Sequence, residues 1–229
     1  MNKKKSLVLL SGGLDSSVNL ASAVLDTEVV LTLTFDYGQR AAKKEIESAQ
    51  KLSEHYKVKN KIIELPWFKD FKTALLDEKL SVPKGHQVSI DDMNVSKKTA
   101  AAVWIPNRNG VFLNIAAAYA EFLKAETIVP GFNREEAATF PDNSFDYMSA
   151  VRKSFTYSTA NHVDVSCYTI QMSKPEIVNL GKDLHLPFEF MWPCYFGGEK
   201  WCGVCESCQR AKRAFASAKL DYNFKFEVE

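Results

Sequence analysis

The sequence has 229 residues, 46% hydrophobic and 25% charged, close to the globular average, which excludes collagen-like, low-complexity and wholly disordered chains. With 29 basic against 28 acidic residues the formal net charge is +1, so no global field draws in nucleic acid or a membrane surface. A chain of this length buries about 70% of its unfolded surface and is stable without disulfides.

Lys3, Lys4 and Lys5 ahead of an apolar stretch at 7–10 imitate a signal peptide. The stretch is too short and runs straight into Gly12, Gly13 and Asp15, so a cytoplasmic chain is expected. Residues 6–10 have the continuous apolar character of a buried parallel strand. Residues 15–25 predict a helix, and 28–35, rich in Val, Leu and Thr, the next strand. Residues 45–55 predict a helix with Ile46, Ala49, Leu52 and Tyr56 along one face; 61–65 predict a third strand, stopped by Pro66. Residues 81–99 are polar, hold Pro83 and Gly85, lack periodicity and predict a long loop. Residues 110–124 predict an apolar helix and 127–130 a strand. Helices at 143–159 and 174–184 then flank a strand at 163–170, and a basic helix at 206–219 follows. This alternation predicts an α/β fold, an open and mainly parallel sheet with helices on both faces.

The segment Ser11-Gly12-Gly13-Leu14-Asp15-Ser16-Ser17 stands between the first strand and the first helix. A helix N-terminus offers unpaired N–H groups and the positive end of its dipole, and glycines let the backbone approach an anion. Asp15 can cap the helix or hold Mg²⁺; beside a bare phosphate it would repel unless a cation intervened. Neither the Walker pattern nor the dinucleotide glycine pattern is present. The segment resembles the Ser-Gly-Gly-x-Asp-Ser loop of ATP pyrophosphatases, which cradle the pyrophosphate that leaves when ATP adenylates a substrate.

Cys194, Cys202, Cys205 and Cys208 are spaced C-x7-C-x2-C-x2-C. In a reducing compartment such a cluster points to a metal before disulfides, and four thiolates suit one structural Zn²⁺ per chain. An iron–sulfur cluster is the competing reading. Lys200, Arg210, Lys212 and Arg213 lie near enough in sequence to offset the site's negative charge, and the run 210–213 otherwise reads as a solvated helix face. Cys167, alone in an apolar stretch, reads as a core residue. The chain divides into a nucleotide-binding domain over 1–186 and a zinc-binding region over 187–229 packed on it.

Arg108 precedes an apolar helix, and its planar fork can reach a phosphate or a base. Tyr37-Gly38-Gln39-Arg40, Gly131-Phe132-Asn133 and Pro141-Asp142-Asn143 follow strands or lie just beyond them, at the carboxyl edge where ligands bind in open α/β sheets. Together with the glycine loop, 105–109 and the cysteines, these motifs resemble the 7-cyano-7-deazaguanine synthase family of the queuosine and archaeosine pathway over nearly the whole chain. The resemblance implies a Rossmann-like, adenine nucleotide alpha hydrolase-like fold. It implies an ATP-dependent C–N ligase that turns 7-carboxy-7-deazaguanine and ammonia into the nitrile through adenylated carboxylate and amide stages. ATP is then a substrate with Mg²⁺, and zinc is structural. No membrane or direct nucleic-acid partner is expected, and a homodimer is left open. By the same resemblance Asp15 and Arg40 are catalytic; Leu10, Ser11, Gly12, Gly13, Leu14, Asp15, Ser16, Ser17 and Arg108 bind the nucleotide; and Tyr37, Arg40, Asn133, Glu136 and Asp142 bind the deazaguanine. There are two departures: Glu136 in place of Asp is chemically mild, and Asn143, where Cys commonly follows Pro-Asp, suggests an archaeal-type branch of the family. Competing readings are a related ATP pyrophosphatase that stops at the amide or modifies tRNA, and a zinc-module nucleic-acid adaptor.

Overall fold

The computed structural model describes residues 3–227. Five parallel strands, β1 (Lys5–Leu9), β2 (Glu28–Asp36), β3 (Asn60–Glu64), β4 (Thr127–Val129) and β5 (Asp164–Val165), form one sheet in the order β3-β2-β1-β4-β5. Alternation along the strands feeds two cores. Leu7, Leu33 and Ile128 face one, Val8 and Val129 the other, all fully or almost fully buried, as a sheet covered on both faces requires.

The helices are α1 (Leu14–Asp26), α2 (Ala42–His55), α3 (Met93–Val103), α4 (Arg108–Phe122), α5 (Arg134–Ala137), α6 (Phe145–Ser158), α7 (Lys174–Asp183) and α8 (Glu206–Ser217). Among the described residues no helix is long and apolar enough to cross a membrane. One core gathers side chains of α4 and α6, the other those of α1, α7 and α8. The second also takes in Met191, Cys194, Trp201, Cys205, Cys208 and Phe226, so the cysteine region shares its interior with α1.

Two elements differ from expectation. The predicted loop at 81–99 holds the start of α3, nucleated by Asp92, whose carboxylate accepts from the N–H groups of Asn94 and Val95, a helix N-cap in its usual role. The predicted strand at 163–170 shrinks to two residues. Beyond it, the side chains of Cys167 and Thr169 donate to the carbonyl of Phe132, and the segment leaves the sheet.

Candidate nucleotide-binding active site

Strand order reverses between β1 and β4, and ligands of open α/β folds bind in the crevice at such a point. The glycine loop after β1 and residues 130–133 after β4 flank it. Gly12 has φ +79°, a left-handed conformation open to glycine, and a Cβ there would meet Ser48 Oγ at 2.3 Å. The Gly12 carbonyl accepts from Trp192 N–H at 2.8 Å and from Ser48 Oγ at 3.2 Å. Gly13 is the N-cap of α1 with no side-chain cap bond. Asp15 therefore sits in the first turn and is not the cap.

Gly131 packs against that turn: a Cβ would stand 2.6 Å from Ser16 N and 2.8 Å from Ser16 Cα. Because the obstacle is backbone, Gly131→Ala is expected to lower stability by about 1–3 kcal/mol through overpacking and to weaken ATP binding. Urea unfolding and nucleotide titration of the variant measure both, and unchanged values would show that the loop yields without cost.

The crevice holds a cavity of about 210 Å³ adjoining a second of about 160 Å³, and Ser11, Gly13, Asp15, Glu45, Arg108, Glu136, Asn143 and Tyr195 line both. Phe35 and Phe112, stacked at 4.0 Å, form an apolar wall. The far side is built by Trp192, Pro193 and Cys194 of the cysteine region.

At the floor, Lys174 Nζ lies 2.5 Å from Asp15 Oδ2 and 2.6 Å from Glu136 Oε1, with 7% of its side chain exposed. Lys174 is the first residue of α7, fixed there by the reciprocal Ser173–Glu176 capping box. Burial opposes its charge, but the two carboxylates outweigh burial and hold it above the ordinary lysine value. Burial lifts Asp15 to about 6 despite Lys174. Burial also opposes charge on Glu136, yet Lys174 and Arg210 keep it below its ordinary value. Asp15 Oδ1 is buried without a partner, so one carboxylate oxygen is open to a ligand or cation.

Opposite stands Glu45, raised by burial to about 7, with Gln39 Nε2 donating to Oε2 at 2.8 Å. Arg108 lies over the Tyr37 ring and donates to its hydroxyl at 3.4 Å. Burial raises Asp142 above its ordinary value, against the pull of Arg108.

The Sγ atoms of Cys194, Cys202, Cys205 and Cys208 all lie within 4.8 Å of one another, and the cluster can hold a metal ion. The backbone N–H groups of Phe196 and Cys202 point at Cys194 Sγ and that of Cys205 at Cys202 Sγ, at 3.3–3.4 Å. The expected offset by Arg210 and Arg213 is corrected here, as is the solvated helix face. Arg210 is 6% exposed and pairs with Glu206 at 2.8 Å and Glu135 at 3.2 Å. Arg213 pairs with Glu135 and with Asp91 at 3.0 Å. Carboxylates of α5 and α8 claim these guanidiniums, and N–H donors serve the sulfurs.

The family described as queuosine biosynthesis protein QueC matches residues 5–219. The chain belongs to the QueC family. A 7-cyano-7-deazaguanine synthase of Bdellovibrio bacteriovorus is 58% identical over 226 residues, covering 98% of both chains. Another, from Pelotomaculum thermopropionicum, is 50% identical over 94% of this chain and 98% of its own. A third, from Methanosarcina mazei, is 46% identical over 92% and 93%. The bacterial pair is nearer than the methanogen, which gives the archaeal-type branch no support. A 4-thiouridine synthetase solved with RNA and bound ATP has the same fold at a TM-score of 0.52 and 16% identity, over 94% of this chain and 50% of its own.

In this QueC family member Leu10, Ser11, Gly13, Leu14, Asp15, Ser16, Tyr37, Arg108 and Glu136 come together around the cavities. Gly12 and Ser17 line neither cavity; Ser17 Oγ donates to the Gly13 carbonyl at 2.7 Å. Asn133 is buried as the N-cap of α5, its Oδ1 accepting from Glu136 N–H while Nδ2 has no partner. Asp142 stands behind Asn143, whose Nδ2 donates to it at 3.1 Å. Arg40 lies outside both cavities, in a depression beside Lys84 and Phe196; it donates to the carbonyls of Leu80 and, at 2.8 Å, of Asp77. Sequence reasoning missed Lys174, Glu45 and Tyr195. The Ser173-x-x-Glu176 box marks where α7 starts, but nothing local marks Lys174 as the bridge.

Proposed function

We propose that this chain converts 7-carboxy-7-deazaguanine to 7-cyano-7-deazaguanine with ATP and ammonia. The observation that carries the reading is Asp15 of the glycine loop, buried at the crevice with one free oxygen and joined through Lys174 to Glu136. The full-length likeness to named synthases supports it.

A carboxylate is a poor electrophile, so ATP first adenylates it and pyrophosphate departs. The N–H groups at the start of α1 with Ser11 and Ser16 receive the phosphates. Lys174 and Arg108 supply positive charge where the leaving group's charge grows, fixed in place before the reaction. Asp15 Oδ1 is a hard oxygen donor that suits Mg²⁺ carried in with ATP. Phe35, Phe112 and Tyr37 give planar rings an apolar wall, and Glu136 and Asn143, which line both cavities, offer polar groups for the deazaguanine edge, while Asn133 and Asp142 hold those two residues in place from behind. Ammonia displaces AMP to give the amide, and a second adenylation makes the amide oxygen a leaving group, yielding the nitrile. Positioning and charge carry such chemistry, and it needs no Ser or Cys nucleophile.

The four cysteines fit Zn²⁺. Cys202 Sγ and Cys208 Sγ are 3.9 Å apart, against about 3.8 Å for a tetrahedron with Zn–S bonds of about 2.3 Å. Four protein ligands leave no open position, so its role is structural, and reduced thiolates suit the cytoplasm.

Incubation with 7-carboxy-7-deazaguanine, ATP and ammonium is expected to give AMP and pyrophosphate, two of each per nitrile, read by mass spectrometry and nucleotide chromatography. A ratio of one with amide as product would identify an enzyme that stops halfway, and ADP as main product would overturn the proposal.

A further inference from the structure

The cavities are lined by three carboxylates, Asp15, Glu45 and Glu136. Two of them are bound to Lys174. Among the described residues no ion pair reaches Glu45, and its side-chain hydrogen bond comes from Gln39 Nε2 at 2.8 Å. Gln39 is itself fixed, 6% exposed, with Oε1 accepting from Tyr37 N–H and Nε2 also donating to the Phe35 carbonyl. The donor fixes one carboxylate oxygen, Oε2, and Glu45 lines both cavities. The charged groups around it are Asp36 at the end of β2 and Arg108 of α4, with Tyr37 between them. Asp15 of α1 and Tyr195 of the cysteine segment line the same space.

Resting on the function proposed above, the geometry points to Glu45 as the catalytic residue that binds ammonium in the cavity and takes a proton from it. The nitrogen source is ammonium near neutral pH, a cation with no lone pair to attack with. A buried carboxylate without a cationic partner attracts it, and the carboxylate's own proton affinity decides whether ammonia is released in place. The buried Glu45, raised to about 7, is matched to that task, because a base works best with its pKa near the operating pH.

The step balances. Ammonium gives one proton to Glu45, and the freed lone pair forms the C–N bond at the acyl carbon of the adenylate. The C–O bond to AMP breaks and its electron pair leaves on the phosphate. The nitrogen then loses a second proton to water, and Glu45 passes the first to solvent, so one amide, one AMP and two protons result.

Glu45→Gln tests this with two nucleophiles. Hydroxylamine is far less basic than ammonia and is already neutral near neutral pH, so it needs no base. With ammonium, the variant's kcat/KM is expected to fall by roughly 10²-fold, the lower end for loss of a general base. In the wild type kcat/KM for total ammonium should rise with pH and level off above about 7, following ionisation of Glu45; the variant, left with free ammonia alone, should lose that plateau and go on rising toward the much higher pKa of ammonium. Hydroxamate formation should stay in the wild-type range and shows that the variant folds and adenylates its substrate. Equal loss with both nucleophiles, or an unchanged ammonium profile, overturns the inference. Should the variant not fold, Gln39→Ala serves: losing a donor to the charged form raises Glu45 further, so the rising limb moves to higher pH, and a limb that stays put overturns the inference. Wild-type enzyme that forms neither amide nor hydroxamate would instead refute the proposed function itself.

Discussion

Lys174→Met is expected to lower stability by about 3–5 kcal/mol, the range for removing one partner of a buried ionic group, and to slow turnover by at least about 10²-fold. The side chain is buried with Asp15 and Glu136 at 2.5 and 2.6 Å, so its loss leaves two desolvated carboxylates facing each other. Their folded-state pKa values then rise above the unfolded ones, and the folded state binds more protons than the unfolded. Stability must fall as pH rises through those raised values and recover as pH falls. Urea unfolding should therefore show a larger deficit at mildly alkaline than at mildly acidic pH. A second change, Glu136→Gln, should return part of the stability without returning activity. A deficit independent of pH would mean that Lys174 acts by packing alone.

Removing the zinc proposed for the four cysteines is expected to have the other large consequence. Structural zinc contributes about 10–16 kcal/mol in small zinc-binding peptides, against total stabilities of about 5–15 kcal/mol for whole domains. Cys205 and Cys208 are fully buried, in one core with Trp201 and Phe215. Cys205→Ser is thus expected to take zinc from one per chain to near none and to loosen α8 together with the cavity wall built by Trp192 and Cys194. Metal analysis with near-ultraviolet circular dichroism measures both. Iron with visible absorbance in the wild-type protein, or full activity without metal, would sink the assignment.

What could be read from the sequence was local. The strand, loop and helix around Gly12 and Gly13 lie within a few residues of one another, as do the three cysteines from Cys202 to Cys208, so their patterns survive in one dimension. Helix α3 was hidden because its firmest signal is the single cap Asp92 in a polar stretch. The strand expected over 163–170 failed after Val165 because the side chains of Cys167 and Thr169 bind the Phe132 carbonyl, a preference no periodicity records. The site's charge balance was equally invisible. Lys174 meets Asp15 across 159 positions, and Arg210, basic and apparently solvated in sequence, is buried against Glu135 and Glu206. Motif residues could be named; what each is bonded to follows only from the packing of α5, α7 and α8.

The hold of Trp192 on Gly12 bears on how the protein is made. A ribosome adds residues from the N-terminus at about 5–20 per second, so all five strands emerge before the segment that supplies this N–H. Ser48, which also reaches the Gly12 carbonyl, donates in addition to the carbonyl of Phe190, so it too gains its full setting late. A nascent chain that has completed its sheet therefore lacks the contact that fixes its glycine loop. The loop is thus set only once the segment around Phe190 and Trp192 has joined it, and on the function proposed above ATP use is expected to wait for that segment.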